Sequence, residues 1–302
     1  MTLAPLALAA LLTYASLTDD VRTLAAHREF AAAERAVTAY QAQNGATSEL
    51  AAAFSWLARG ELDAGRYDQA DVYAAQARRI AASLPGARRL DADPQLATAL
   101  GAAIEVHARV LAARGERPQA VAFLRRELAA FGATGLAERI RKNINLLDLV
   151  GNPAPPLDEA NWLGAKPASL AALRGHPVLL FFWAHWCPDC KAEAPVLAKI
   201  ARIYGPKGLV VIGPTKLYGY VAEGNPATPG QETRYIDAIR RQFYSGLPDM
   251  AVPVSAANFR TYGASTTPTM VLLDRDGIVR FYHPGTVSEA ELVRWIEALV
   301  KR

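Results

Sequence analysis

Two cysteines three residues apart are the side chains in this chain best suited to chemistry. The 302-residue sequence has no others, and they stand in the run Trp186-Cys187-Pro188-Asp189-Cys190. An apolar run precedes the pair and an amphipathic pattern follows it, which predicts a strand before it and a helix after it. Residues three apart share one face of a helix, so the two sulfur atoms can close a short disulfide. Unpaired N–H groups at the start of such a helix would stabilise a thiolate on Cys187 and lower its pKa.

This arrangement predicts thiol–disulfide exchange. Cys187 is expected to attack a disulfide, and Cys190 is expected to resolve the mixed disulfide by attacking Cys187. Pro188 suits the first turn of a helix and pre-sets its backbone. Asp189 and His185 are expected to tune the redox behaviour of the pair. The negative charge of Asp189 opposes the thiolate, and His185 favours it when protonated.

A lone cysteine pair has two other interpretations, half of a metal site and a structural bridge. A zinc site needs two further ligands, and the chain offers no third cysteine and only five scattered histidines. A bridge between residues three apart adds little stability because the closed loop is short. We therefore expect no metal and no cofactor beyond the redox-active Cys187–Cys190 disulfide itself.

The two halves of the chain differ in composition. Residues 1–150 contain 40 alanines and 4 prolines, whereas residues 151–302 contain 20 and 15. Alanine is the best helix former and proline the worst, so residues 18–148 are predicted to be an all-helical domain. Three prolines within residues 153–156 mark the boundary, and residues 149–302 form the second domain. Strand and helix patterns alternate in that domain and predict an α/β fold with a mixed central sheet flanked by helices.

The helical half has a weak tetratricopeptide-like pattern. A glycine turn joins two helices whose small residues allow a close crossing, and the pattern involves Phe54, Leu57, Ala58, Gly65, Tyr67, Ala70 and Ala77. Partial echoes elsewhere in the half do not follow the regular spacing of that repeat. An irregular bundle of helical hairpins remains the alternative. Such a layer would offer a surface for a protein partner, or it would only shield or space the second domain.

Within the first 17 residues, residues 3–12 are almost wholly apolar and residues 13–16 supply small side chains, as in the apolar part of a secretory signal, but the basic leading region is missing. The alternative is a first helix of the helical domain. The segment is too short to span a bilayer, and no other stretch suggests a membrane span. The net charge of +4 is spread over both halves, which argues against nucleic-acid binding.

Several motifs occur together in the second half, over about residues 150–302. They are Gly151-x-Pro153-Ala154-Pro155, Leu173-Arg174-Gly175-x-Pro177, Phe182-Trp183-Ala184-x-Trp186-Cys187-Pro188-x-Cys190, Glu193-x-Pro195 and Tyr262-Gly263-Ala264-Ser265-Thr266-Thr267-Pro268. Jointly they resemble the TlpA/ResA-like thioredoxin family of exported thiol–disulfide oxidoreductases. The resemblance implies a thioredoxin fold and a redox-active pair. It also implies protein disulfide or dithiol substrates, an upstream thiol electron donor and a place in the periplasm or cell envelope.

The resemblance also implies roles for single residues. Pro268 would follow a cis peptide bond and face the cysteines, so that the backbone of Thr267 could bind a substrate strand. Trp186 would form an apolar rim beside the disulfide. Glu193 would help to manage the proton of Cys190, since burial raises the pKa of a carboxyl; the alternative is an exposed helix glutamate. Phe181 stands where cytosolic thioredoxins carry a buried aspartate, which favours the exported branch.

Two other functions are compatible with the sequence. One is a helical protein-interaction module whose thioredoxin-like domain serves as a docking platform. The other is a thiol peroxidase, although Trp183 and Leu180 occupy the positions where a peroxidase loop carries threonine and proline. The long segment at 214–230 is either a substrate-binding flap or a surface insertion.

Overall fold

The computed structural model describes residues 16–84 and 90–301, and the chain divides into two compact units between Arg114 and Gly115. Of the candidate signal at residues 1–17, all but Ser16 and Leu17 lie outside the described residues. The described part of the first unit is helical and contains α1 (Leu17–Ala26), α2 (Phe30–Asn44), α3 (Ser48–Asp63), α4 (Tyr67–Ser83) and α5 (Pro94–Ala113).

Helices α3 and α4 form a hairpin that the glycine turn predicts. Gly65 lies in the turn with a φ of 75°, a conformation that favours glycine. Ala58, Ala70 and Ala77 are fully buried, so small residues fill the inside of this unit. The hairpin is confirmed, whereas the assignment of the unit to a tetratricopeptide-like repeat stays a prediction.

Helix α5 begins with an aspartate cap followed by a proline. Asp93 precedes the helix and its Oδ1 accepts a hydrogen bond from the N–H of Leu96 at 3.0 Å, while Pro94 occupies the first turn. Among the described helices, α5 alone is long and apolar enough to cross a membrane by length and composition. This finding differs from the expectation that no such stretch follows the N-terminal segment. Packing inside the unit buries 56% of the apolar window, as in a core helix.

The second unit contains the sheet and its helices. Residues 115–148, which composition groups with the helical half, belong to this unit. The elements in chain order are α6 (Arg117–Phe131), α7 (Leu136–Asp148), β1 (Trp162–Gly164), β2 (Val178–Phe182), α8 (Pro188–Ala192), α9 (Ala194–Tyr204), β3 (Val210–Ile212), α10 (Pro229–Phe243), β4 (Ala251–Pro253), α11 (Ala256–Tyr262), β5 (Thr269–Leu273), β6 (Val279–Pro284) and α12 (Glu289–Val300).

The six strands form one mixed sheet in the order β1-β4-β3-β2-β5-β6. Strands β2, β3 and β4 are parallel, and β1, β5 and β6 pair antiparallel with their neighbours. The hairpin between β5 and β6 turns at residues 274–277, where Gly277 has a φ of 71°. The predicted mixed sheet with flanking helices is therefore confirmed.

Strand β2 lies at the centre of the sheet and is buried on both faces, as its continuous apolar run predicts. Leu179 and Phe181 pack into the core on one face, together with both cysteines. Leu180 and Phe182 pack into the core on the other face. The carboxyl end of this strand leads directly to the cysteine pair, so the position of the pair is set by a fully buried strand.

Some elements differ from the expected pattern. The helix expected after the cysteine pair divides at Glu193 into α8 and α9, because Pro195 lacks an N–H donor and its ring disfavours a continuous helix. Helix α10 begins at Pro229, after a capping box formed by Thr228 and Gln231. No sequence pattern predicts the short elements β1, β4 and α11.

Candidate active site

The two cysteines form a disulfide at the start of α8, with their Cα atoms 5.3 Å apart. Cys187 is the N-cap residue of the helix, and the backbone N–H of Cys190 donates to its Sγ over 3.1 Å. A neutral sulfur accepts such a bond weakly, whereas a thiolate accepts it strongly. The junction thus places a donor where charge would develop on Cys187 after reduction.

The Thr267–Pro268 peptide bond is cis, as expected. The carbonyl oxygen of Thr267 lies 3.5 Å from the Sγ of Cys187, although the two residues are 80 positions apart. Pro268 is buried and Thr267 is partly exposed. The backbone of Thr267 therefore lies beside the leading sulfur, at the edge of the site that solvent reaches.

The two cysteines differ from their neighbours in exposure. Cys187 exposes 2% of its surface and Cys190 none, whereas Trp186 exposes 45%. Pro188 and Asp189 are also exposed. Trp186 therefore presents an exposed apolar surface directly next to a nearly buried sulfur.

Glu193 is buried at the junction of α8 and α9, one helical turn beyond Cys190, with 8% of its surface exposed. Burial raises the pKa of its carboxyl, the nearby charge of Asp189 adds to the rise, and the backbone N–H of Val287 opposes it. Its position is therefore that of a buried carboxyl and not of an exposed helix glutamate.

Tyr244, which no sequence pattern singles out, contributes a second buried polar group below the pair. Its hydroxyl donates to the carbonyl oxygen of Cys190 over 2.8 Å. Its ring packs against Phe181 and Trp183, with centroids 5.9 and 4.9 Å away. Burial raises the pKa of Tyr244, and the charge of Glu193 adds to this, so its hydroxyl keeps its proton. The carbonyl of the second cysteine thus has a fixed donor.

His185 is buried and interacts with Glu232, a carboxylate that sequence patterns likewise leave unidentified. Its Nε2 lies 3.3 Å from Oε1 of Glu232, and both side chains are 1% exposed. Burial lowers the pKa of His185, and Glu232 only partly opposes this, so the ring is neutral near pH 7. The redox-tuning roles expected for His185 and Asp189 stay predictions. Glu232 shares the buried face of α10 with Ile236 and Ile239, and a glutamate at that spacing is the signal that could have identified it.

No group of three or more histidine, cysteine, aspartate or glutamate side chains in the described ranges is arranged to hold a metal ion. The side chains that the fold does bring together are those of the predicted redox site. The disulfide-bonded Cys187 and Cys190 follow Trp186 after the end of β2, and the carbonyl oxygen of Thr267 lies beside the Sγ of Cys187. Glu193 is buried three residues after Cys190.

Comparison with known proteins identifies a known domain within the second unit. The family model for the thioredoxin-like domain matches residues 166–299. The thiol:disulfide interchange protein DsbE of Pseudomonas fluorescens biotype C is 28% identical over 156 residues, which cover 50% of this chain and 78% of that protein. The thiol-disulfide oxidoreductase ResA of Geobacillus thermodenitrificans is 23% identical over 172 residues, 57% of this chain and 89% of that protein.

Among solved structures, a thiol-disulfide isomerase from Corynebacterium glutamicum aligns with 49% of this chain and 97% of its own, at 24% identity and a TM-score of 0.40. The match to the thioredoxin-like domain falls in the half of the chain that carries the cysteine pair. The chain therefore contains a thioredoxin-like domain in its C-terminal half, at residues 166–299, and it is similar to thiol-disulfide oxidoreductases.

Proposed function

We propose that this protein reduces or exchanges disulfides of extracytoplasmic proteins, with Cys187 as the nucleophile and Cys190 as the resolving thiol. The observation that carries the proposal is the N–H of Cys190, which donates to the Sγ of Cys187 over 3.1 Å. A donor in this position stabilises the thiolate more than the thiol and so favours the reactive form. No cofactor takes part, since the pair itself accepts and donates the electrons.

The reaction proceeds in two exchanges. In the reduced protein the Cys187 thiolate attacks one sulfur of the substrate disulfide, which forms a mixed disulfide and releases the other substrate sulfur as a thiolate. Cys190 then loses its proton and attacks the Sγ of Cys187, which releases the second substrate thiolate. Two electrons pass to the substrate, whose thiolates take up protons, and the protein is left with the Cys187–Cys190 disulfide. An upstream thiol donor restores the dithiol by the reverse exchanges.

Protein substrates are favoured by the surroundings of the sulfur. Cys187 is 2% exposed, so an incoming disulfide must approach it past its more exposed neighbours, among them Trp186 and Thr267. Thr267 is a partly exposed residue, and its backbone is proposed to pair with an extended peptide, as an added strand pairs with a sheet edge. A polypeptide segment that presents a cystine to this edge would satisfy both conditions.

Glu193 is proposed to accept the proton of Cys190 during the second exchange. It lies one turn beyond that cysteine, and burial raises the pKa of its carboxyl toward the range in which it can exchange a proton near neutrality. Tyr244 donates to the Cys190 carbonyl and keeps the backbone of this turn in place beside the carboxyl. The resolving step would then need no water in the buried part of the site.

The proposed location in the cell envelope rests on the resemblance to exported relatives and on the candidate signal at residues 1–17. An oxidising compartment outside the cytoplasm is where protein disulfides occur and need exchange. The upstream donor and the substrate would both act there.

Replacement of the nucleophile tests the assignment directly. Cys187→Ser should lower the dithiothreitol-driven reduction of insulin by roughly three orders of magnitude or more, because no thiolate remains to attack. Precipitation of the free insulin chains measures the rate. The matched control Ser245→Ala, at an exposed position of the same unit, should keep the wild-type rate. Unchanged turnover in Cys187→Ser would refute the role of this sulfur, and an inactive wild type would favour the docking-platform alternative.

Replacement of the resolving thiol should trap the intermediate. In Cys190→Ser the mixed disulfide with Cys187 forms but cannot be resolved, so substrates stay covalently bound. The variant should capture proteins from a cell-envelope extract that are released by dithiothreitol, as seen on non-reducing gels. The double variant Cys187→Ser/Cys190→Ser should capture none. If Cys190→Ser also captures none, protein disulfides are not the substrates.

Neutralising the buried carboxyl tests the proton acceptor. In Glu193→Gln the loss of negative charge near Cys190 should move the pH profile of thiol alkylation to lower pH. Loss of the acceptor should also slow resolution of the mixed disulfide at neutral pH by about a hundredfold. Because burial raises the pKa of folded Glu193, the unfolding free energy of the wild type should fall as pH rises above the ordinary carboxyl range, and the variant should lack this fall.

The exposed Glu223→Gln serves as control for the carboxyl experiment and should reproduce the wild-type profiles. Identical alkylation profiles and resolution rates for Glu193→Gln and wild type would show that Glu193 takes no part in proton transfer.

A further inference from the structure

A buried carboxylate joins α10 to the loop that precedes it. The fully buried Glu232 accepts hydrogen bonds from the backbone N–H of Tyr218 at 2.5 Å and of Gly219 at 2.8 Å. His185 approaches the same carboxylate at 3.3 Å, and its neutral ring must carry the proton on Nε2 to donate there. Three donors thus compensate a carboxylate that is out of contact with water. We call residues 216–220 the anchored loop.

Aromatic rings enclose the histidine in this arrangement. Tyr218, Tyr220 and Tyr235 contact the ring of His185 edge to face, with centroids 5.6, 5.4 and 5.3 Å away. Two of these tyrosines belong to the anchored loop, and the third projects from α10. The loop is therefore fixed to the residue that precedes Trp186 by ring packing as well as by the carboxylate.

Tyr218 also contacts Trp186, the exposed residue that precedes Cys187. Its ring lies edge to face against the indole of Trp186, with centroids 5.5 Å apart and planes at 84°. Lys216 lies over the Tyr218 ring at 5.4 Å and pairs with Glu138 at 2.9 Å, so the ring is held from a second side. The Tyr218 hydroxyl oxygen is buried and has no hydrogen-bond partner within the described ranges. Packing and the backbone contacts, rather than the hydroxyl, thus hold the ring.

We propose that Glu232 is a positioning residue that holds Tyr218 beside Trp186, and that these two rings form an aromatic wall for a bulky apolar side chain next to the substrate's cysteine. The proposal rests on the proposed function, because the wall matters only if Cys187 attacks a protein disulfide. Trp186 is 45% exposed, so its indole leaves apolar surface open beside a nearly buried nucleophile, and Tyr218, a partly exposed residue, packs against that indole. Burial of an apolar side chain against two rings would favour binding of such a substrate.

The wall makes the anchored loop a specificity element. Of the two interpretations of the segment at 214–230, a substrate-binding flap and a surface insertion, the contacts of Glu232 with Tyr218 and Gly219 favour the first. A surface insertion without a function would not require a buried carboxylate to hold its backbone in one conformation.

Two oxidised peptides that differ only in the residue before the cysteine, Phe in one and Ser in the other, test the wall. The wild type should reduce the Phe peptide with a kcat/KM about tenfold above that of the Ser peptide. Tyr218→Ala and Glu232→Gln should both bring this ratio close to one, mainly through the KM of the Phe peptide. Glu232→Gln acts through the loop, since an amide offers one acceptor oxygen for three donors. The exposed Ser245→Ala, outside residues 214–230, should keep the wild-type ratio.

The possible outcomes distinguish failure of the aromatic-wall proposal from failure of the proposed disulfide reduction. A ratio near one in the wild type, or a wild-type ratio in Tyr218→Ala, overturns the wall while Cys187-dependent reduction persists. A wild type that reduces neither peptide nor insulin contradicts the proposed function itself. Circular dichroism melting identifies any loss of folding in Glu232→Gln. If that variant does not fold, Tyr218→Ala decides the outcome, because it removes the ring of a partly exposed loop residue and leaves the buried carboxylate in place.

Discussion

The hydrogen bond from the N–H of Cys190 to the Sγ of Cys187 is the contact on which the chemistry of this protein depends. The bond forms because Cys187 ends an extended segment and Pro188 begins a helix. The backbone N–H of Cys190, in the first turn of that helix, therefore points back at the sulfur of Cys187. The same contact is weak in the disulfide and strong once a thiolate forms. The protein therefore favours the charged sulfur that attacks, and it does so with main-chain atoms that a side-chain substitution leaves in place.

The core of the second unit keeps that junction in position. Trp183, directly after β2, donates through Nε1 to the carbonyl of Gly213 at 2.9 Å and accepts at its own carbonyl from Thr215 at 2.8 Å. Tyr244 fixes the carbonyl of Cys190 from below. The sulfur pair thus lies in a rigid, mostly apolar setting, and the side chains free to meet a substrate are those at the rim. Rigid placement of reacting groups lowers the entropic cost of reaching the transition state.

Much of this site could be predicted from the sequence because its signals are local. The cysteine spacing, the apolar run of β2 and the proline at 188 identify the junction within about a dozen residues, and the motif before Pro268 indicates the facing cis bond. The pairing of His185 with Glu232 could not be found in this way, since 47 residues separate them and only the fold brings them together. The strands β1 and β4 have three residues each, too few for a periodic pattern.

Titration of the Cys187 thiol tests the central claim most directly. In Cys190→Ser the thiolate absorbance in the ultraviolet belongs to Cys187 alone, because the chain has no other cysteine. The backbone donor at position 190 is kept in this variant. We expect the titration midpoint to lie well below the ordinary cysteine pKa of about 8.5. A midpoint at or above that value would contradict a thiolate stabilised by the start of the helix, and with it the role of Cys187 as the attacking group.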